Sequence, residues 1–398
     1  MNKAKIIFHI DMNCYFVSCE LINNPKLLNE PIAVASKGAS YKGIILTSSY
    51  NARKYGIYSG MPTSEALRLY PKVILLDSHY DLYEKYHKMF VEYFKSITPL
   101  VEVASIDEAY LDVTEVCKKI NPLVLAKKIQ DYLYKQLHLP CSIGIGPNKL
   151  LAKIGSDYKK PLGITVLRKR EVQEKLWPLP ISSMMGVGKK TLKELEFLKI
   201  KTIEDFVKYQ DVKILKTIIG EQSYNNLLDQ AYGNGNNVVD PTSHDTYLSM
   251  SHSETFENEL FDKRVMEEEL NRLSKIISNR LVYHQFLGQT ISIQIKYNDF
   301  KNITRSKTII EPVNDHQTIF EVVKELFDNA YDEVTPIRLL GVGVSKLVNA
   351  DKIVKQMSIY DNFDDMDKSI NIDKLINNIN KEIGKDLLVK GYAALKKN

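Results

Sequence analysis

The chain has 398 residues, 44% hydrophobic and 26% charged, with a formal net charge of +5. That length exceeds one ordinary core, so two to four domains are expected, and no apolar run approaches the ~18–20 residues that span a bilayer. The mildly basic balance permits a polyanionic partner without establishing one, and the scattered Cys14, Cys19, Cys117 and Cys141 lack the paired spacing of a zinc site or a disulfide framework.

Met1-Asn2-Lys3-Ala4-Lys5 leads straight into a short strand with no secretory signal pattern, so a cytoplasmic location is expected. The first 170 residues alternate candidate strands, at 6–10, 31–35, 43–48, 73–76, 102–104, 109–113, 142–145 and 163–167, with helical patterns at 80–97, 122–137 and 148–158. The last helix starts after a cap at Pro147-Asn148 and stops at Pro161. This predicts a mixed α/β body with a small insert over about 20–75. Residues 171–232 read as helical and short-looped, and Gly233-Asn234-Gly235-Asn236-Asn237 opens a polar linker that runs to 245.

Beyond the linker, a strand at 246–255 and a helix at 263–284 precede a strand at 290–297. In that strand Ile291, Ile293 and Ile295 alternate with Ser292, Gln294 and Lys296. A strand near 304–310, a helix at 318–330 and a strand at 338–347 complete a β-α-β-β-α-β order over 246–350. One sheet face is polar and is expected to carry Lys296, Lys301, Arg305 and Lys307, a pattern that reads equally as a solvated face. Residues 351–398 form a tail with Asp-rich and Asn-rich stretches and a candidate amphipathic helix near 372–383.

Three acids stand at strand ends. Asp11 closes the apolar run Ile6-Ile7-Phe8-His9-Ile10, and Asp107-Glu108 lies within Ser105-Ile106-Asp107-Glu108-Ala109-Tyr110-Leu111. Carboxylates in such places are costly unless neutralised, and a divalent cation is the usual partner. Two acids from one turn and one from a neighbouring strand can hold two Mg²⁺ ions about 3.5–4 Å apart. Taken alone, Asp-Glu reads more simply as a solvated turn.

Four blocks in register change that reading. His9-Ile10-Asp11-Met12-Asn13-Cys14-Tyr15-Phe16, Ser49-Tyr50-Asn51-Ala52-Arg53-Lys54-Tyr55-Gly56-Ile57, the Ser105 to Val113 segment, and Gly144-Ile145-Gly146-Pro147-Asn148-Lys149-Leu150-Leu151-Ala152-Lys153-Ile154 with Lys160-Pro161-Leu162-Gly163 resemble Y-family translesion DNA polymerases of the bacterial DNA polymerase IV type. The resemblance spans about 350 residues. It implies a right-hand α/β (α+β) multidomain fold: a palm over 1–170 with fingers at about 20–75, a helical thumb over 171–232, the 233–245 linker, a little finger over 246–350 and a tail.

It also implies template-directed, low-fidelity synthesis past damage from deoxynucleotides (dNTPs), without a proofreading exonuclease. Asp11, Asp107 and Glu108, with the Met12 carbonyl, would hold two Mg²⁺ ions, with Mn²⁺ as an alternative. Asn13 occupies a position that is often Asp in relatives but is not a principal ligand. Thr47, Tyr50, Arg53 and Lys160 would bind the triphosphate; outside the family frame, Tyr50-Asn51-Ala52-Arg53 is simply a helix start with a basic face. Phe16 would be the steric gate against a 2′-hydroxyl, and Leu46 would lie near the nascent base pair.

Met185-Gly186-Val187-Gly188-Lys189-Lys190 resembles a helix-hairpin-helix turn, in which Gly186, Gly188, Lys189 and Lys190 would meet a DNA phosphate. Lys296 and Arg305 would contact DNA from the little finger. Gln356-Met357-Ser358-Ile359-Tyr360 resembles a sliding-clamp peptide, with Gln356, Ile359 and Tyr360 as anchors. The expected partners are primed, damaged template DNA, dNTPs and the clamp; a monomer with no membrane association is expected. The rival readings are a catalytically silent DNA- and clamp-binding accessory factor, against which the full set of acids and phosphate donors argues, and a two-metal nucleotide cyclase, which would leave the later domains without a purpose.

Overall fold

The computed structural model describes residues 5–36, 43–243 and 247–352 and divides into two units, 1–247 and 248–398. In the first unit β1 (Ile7–Met12) runs into a left-handed residue, Cys14 at φ 47°, and then α1 (Tyr15–Asn23). Next come β2 (Ile32–Ala35), β3 (Ile45–Ser48), α2 (Tyr50–Arg53), α3 (Thr63–Leu69) and β4 (Ile74–Asp77). The order continues through α4 (Tyr80–Ile97), β5 (Val101–Val103), β6 (Glu108–Asp112), α5 (Pro122–Leu137), β7 (Cys141–Gly146), α6 (Lys149–Tyr158) and β8 (Ile164–Val166). The main sheet has the order β5-β6-β1-β7-β8, and the stretch expected as an insert carries its own sheet, β3-β2-β4. Of the short helices, α2 begins at the helix start read at Tyr50, whereas α1 and α3 are not among the sequence expectations.

β1 is buried along its whole length because both sheet faces are covered. Phe8, Ile10 and Met12 face a core built with α1, α4 and α5. α5 is set by Pro122 after the Asn121 cap, whose side chain accepts from Leu123 N, and it buries Leu125, Ile129, Leu133 and Leu137 at helical spacing. On the opposite face lie Ile7, His9 and Asp11, in register with Asp112, Tyr110 and Glu108 of β6 and with Gly146, Gly144 and Ser142 of β7.

α6 closes this second face. Asn148 caps it by accepting from Leu151 N at 2.9 Å. A Cβ on Gly144 would stand 1.8 Å from the Ala152 carbonyl oxygen, and one on Gly155 would stand 3.1 Å from Gly144 Cα, so helix and strand meet backbone to backbone. The other side of α6, through Leu150, Leu151 and Ile154, joins a second core with the helical segment that follows. That segment holds α7 (Val172–Lys175), α8 (Lys189–Phe197), α9 (Ile203–Lys208), α10 (Val212–Ile219) and α11 (Glu221–Ala231).

The residues expected as a loose polar linker are instead strapped to the first unit. Asn148 Nδ2 donates to Gly233 O at 2.8 Å, Lys149 N to Asn236 O at 2.9 Å and Asp240 N to Glu102 Oε2 at 2.8 Å. Val239 is 5% exposed against Ile7, Tyr110 and Ala152. A polar, aperiodic sequence hides this because the strap is held by backbone groups.

The second unit follows the predicted order: β9 (Ser249–Leu260), α12 (Lys263–Tyr283), β10 (Phe286–Tyr297), β11 (Asn302–Val313), α13 (His316–Ala330) and β12 (Ile337–Asn349), in an antiparallel sheet β11-β10-β12-β9. Ile291, Ile293 and Ile295 pair with Val344, Val342 and Leu340, and all are buried with residues of α12 and α13. The opposite face is a carpet of small polar residues: Ser251, Gly343, Ser292 and Ser306 in one row, and Ser253, Gly341, Gln294 and Thr304 in the next.

The expected basic face is divided. Lys296 belongs to the carpet side, in register with Asn302 and Leu339. Arg305 and Lys307 pair with Ile293 and Ile291 and therefore point to the helix side, where Lys307 Nζ binds Glu325 of α13 at 2.6 Å. Lys301 sits in the turn, its N donating to Asp299 Oδ1 at 2.8 Å.

Gly144→Ala is expected to force α6 off the sheet, cost about 1–3 kcal/mol or more and lower the thermal unfolding midpoint by several degrees, measurable by calorimetry.

Candidate active site

The strand ends bring the predicted acids to one place. Asp11 and Glu108 are direct cross-strand partners, and Met12 N donates to Asp107 O at 3.0 Å. Asp11, Met12, Asp107 and Glu108 share a cleft of ≈ 370 Å³ with Phe16, Leu46, Thr47, Tyr50, Arg53 and Lys160. Cys14, Ser59 and Ile106, not singled out from sequence, also line it. A larger surface depression of ≈ 660 Å³ around Glu20, His79 and Lys85 holds none of the residues singled out as site residues.

Each acid has its own partner. Asp11, 6% exposed, takes Lys160 Nζ on Oδ2 at 2.7 Å. Glu108 Oε2 takes Lys153 Nζ at 2.8 Å, and Asp107 Oδ1 accepts from Ser105 Oγ at 2.5 Å. With the carboxylates turned to these partners, no three acid, His or Cys side chains among the described residues stand as a ready ligand cage. Lys153 lies in the Gly144 to Ile154 segment, and the sequence alone points to no role for it. It lies on α6, whereas Lys160 follows the C-terminal end of that helix, so no helical spacing links the two lysines.

Burial pushes the Asp11 carboxyl up to about 7, against the pull of Lys160. The ammonium of Lys160 is itself penalised by burial, but Asp11 and then Asp157, at 2.7 Å, hold its pKa above the ordinary lysine value. Glu108 is held below the usual carboxylate range by His9 and, against burial, by Lys153. Of these two, only Lys153 is within bonding distance, since His9 Nε2 is 3.6 Å away. His9, wholly buried, has its pKa lowered by that burial. The donor set is hard oxygen, and a carboxyl held near neutrality by burial is one that a bound cation would stabilise in its ionised form. The residues therefore fit Mg²⁺.

The phosphate side of the cleft comes from the smaller sheet. Ser49 caps α2 by accepting from Ala52 N at 3.1 Å, which sets Tyr50 and Arg53 three residues apart on one face. The Arg53 guanidinium lies 4.8 Å over the Tyr50 ring, and its Nε donates to Ser48 O at 3.2 Å. On α1 Phe16 stacks on Tyr83, with ring centroids 4.2 Å apart and planes at 11°. Tyr83 is fixed in turn, its hydroxyl donating to Glu20 Oε1 at 2.5 Å and its carbonyl accepting from Tyr15 at 2.7 Å.

Gly186, at φ 94°, and Gly188 lead into α8, where Lys189 and Lys190 are exposed on its first turn. Gln356, Ile359 and Tyr360 lie outside the described residues. Among the described residues no helix is long and apolar enough to cross a membrane.

Sequence profiles of the impB/mucB/samB family match residues 10–157 and, for its C-terminal domain, 248–359; the HHH motif of the IMS family matches 169–200. DNA polymerase IV of Oceanobacillus iheyensis is 38% identical over 98% of this chain and 92% of its own length. This chain belongs to the Y family of DNA polymerases, of the bacterial DNA polymerase IV type. It is accordingly a DNA-directed DNA polymerase. DNA polymerase IV of Bacillus velezensis is 40% identical over 99% of the chain and 94% of its own length. A Y-family polymerase chimera of Dbh and Dpo4 superposes with a TM-score of 0.76 at 26% identity, covering 86% of this chain and 99% of its own.

Proposed function

We propose that this Y-family polymerase copies damaged template DNA by nucleotidyl transfer from dNTPs. The observation that carries the reading is the single cleft in which three strand-end acids face Thr47, Tyr50, Arg53, Lys160 and Phe16. Asp11, Asp107, Glu108 and the Met12 carbonyl would hold paired Mg²⁺. Bound there, the ions would supply Lewis-acid stabilisation of the transferring phosphoryl group and a more acidic primer hydroxyl. The primer 3′-hydroxyl gives up its proton to solvent, its oxygen bonds to the α-phosphorus, and the bond from that phosphorus to the bridging oxygen breaks as pyrophosphate leaves.

The chain's own residues position the substrate. Arg53 presents its two Nη groups as a fork to phosphate, with Tyr50 and Thr47 hydroxyls beside it. Lys160 can release Asp11 and turn to a phosphate while Asp157 keeps its charge compensated. Phe16, backed by Tyr83, stands as a flat wall where a 2′-hydroxyl would need room. Low fidelity follows from an open cleft and a grip on DNA that reads backbone rather than bases. The carpet of Ser, Thr, Gly and Gln on the second sheet suits such a grip: its two central rows contain no carboxylate, and its donors are short. Residues 356–360 would tether the enzyme to a sliding clamp as a monomer, raising its local concentration on DNA.

Asp107→Ala is expected to lower primer extension about 10²–10³-fold or more while DNA affinity stays near wild type; robust extension by this variant would remove the two-metal assignment. Phe16→Ala should reduce discrimination against ribonucleotides by about 10–200-fold, the range one steric contact commands, measured as the ratio of kcat/KM for dNTP and rNTP. Lys296→Ala should reduce the slope of log K against log salt by about 0.9, whereas Lys307→Ala, committed to Glu325, should leave it unchanged.

A further inference from the structure

His9 has no exposed surface, and its Nε2 lacks a hydrogen-bond partner. An unpaired ring nitrogen in the interior is rare and costly, so it needs an explanation. The ring lies on Tyr110 with centroids 4.5 Å apart, and Nδ1 is 2.8 Å from Ser156 Oγ. Nε2 faces Glu108 Oε2 across 3.6 Å. That gap is less than an ångström beyond a normal hydrogen bond.

A neutral imidazole carries one N–H. The Ser156 hydroxyl has one proton and two claimants, Lys153 O at 2.7 Å and His9 Nδ1 at 2.8 Å. If the proton goes to Lys153 O, His9 must donate from Nδ1 and turn a bare lone pair toward a carboxylate, which is repulsive. If it goes to Nδ1, the imidazole proton sits on Nε2 and faces Glu108, and a small shift of the carboxylate makes the bond. The negative charge beside Nε2 selects the second arrangement.

We propose that His9 is a positioning residue for Glu108: Ser156 fixes its tautomer, and its Nε2–H holds Oε2 so that the other carboxylate oxygen is directed to the cleft. This rests on the reading of Glu108 as a metal-holding carboxylate. Ligating carboxylates are themselves oriented by hydrogen bonds, and loss of such a partner typically weakens metal affinity or activity by about 10–100-fold. Lys153 holds the same oxygen at 2.8 Å, and its flexible stem leaves the fixed ring as the orienting partner when the carboxylate moves.

Two measurements on the full-length protein test this. The first is ¹⁵N NMR of histidine-labelled wild type, with His9 assigned by its loss in His9→Gln. Protonated Nε2 with bare Nδ1 is expected; the reverse tautomer would overturn the proposal whatever the variants do. The second is Mn²⁺ binding by electron paramagnetic resonance. His9→Phe should weaken binding about 10–100-fold. His9→Gln, whose amide nitrogen falls where Nε2 was, should bind close to wild type, and His9→Asn, which replaces Nδ1, should resemble His9→Phe. Equal binding by all variants, or rescue by Asn as good as by Gln, would reduce His9 to packing and sink the role. Wild-type binding no tighter than that of Asp107→Ala would overturn the metal-site reading together with this role, whereas tight wild-type binding indifferent to His9 overturns this role alone.

Discussion

The backbone-to-backbone approach of α6 to β7 is the constraint on which the rest of the first unit depends. Glycine at 144 is required for the helix to lie this close to the sheet, and Gly155 keeps the facing contact free of a side chain. From that position Lys153 reaches Glu108, Ser156 reaches His9, and the chain leaving the helix delivers Lys160 to Asp11. The same helix turns Leu150, Leu151 and Ile154 outward into the core of the following helical segment. One ten-residue element thus carries the counter-charge of Glu108 on one side, leads to that of Asp11 at its end and anchors the helical segment on the other side.

The acids themselves reflect a balance between burial and charge. A carboxylate at the end of a strand covered on both faces loses most of its hydration, and the cost is offset only where an opposite charge or several donors stand nearby. Here Lys160 meets that need for Asp11 and Lys153 for Glu108, while Asp107, half-buried and just ahead of β6, accepts from Ser105. These contacts hold the acids in place, and each lysine stem can swing aside, which a site meant to accept further cations and phosphates requires.

Much of this was legible in the residues. Elements with one clear periodicity emerged: α4 and α5 with their final bounds, and the alternating β10, which faces helices on one side only, short by the four residues at its start. α1 did not, because it buries Tyr15, Val17, Ser18, Cys19 and Glu20, nearly all round, and so shows no amphipathic stripe. The lysine partners of the acids were invisible because Lys160 and Asp11 are 149 residues apart. The expected basic face failed for a different reason. Residues on one strand separate by odd and even number, but which parity of β11 faces the helices is set by the register through the turn after β10, and composition does not carry that information. The clustering of the site residues in one cleft followed from the order of the motifs; the orientation of their side chains did not.

The strap along 233–240 bears on how this enzyme could be shortened. Ending the chain at Gly233 would strip Val239 from Ile7 and Tyr110, leave the Lys149 amide without the Asn236 carbonyl and remove the Asp240 amide from Glu102, which would keep Lys149 Nζ. The uncovered surface lies on the same sheet face as Asp11 and Glu108, farther along the strands that bear them. A truncated version that preserves the first unit therefore has to retain the sequence through Asp240, because the composition of this glycine- and asparagine-rich stretch conceals backbone contacts that the sheet and α6 rely on.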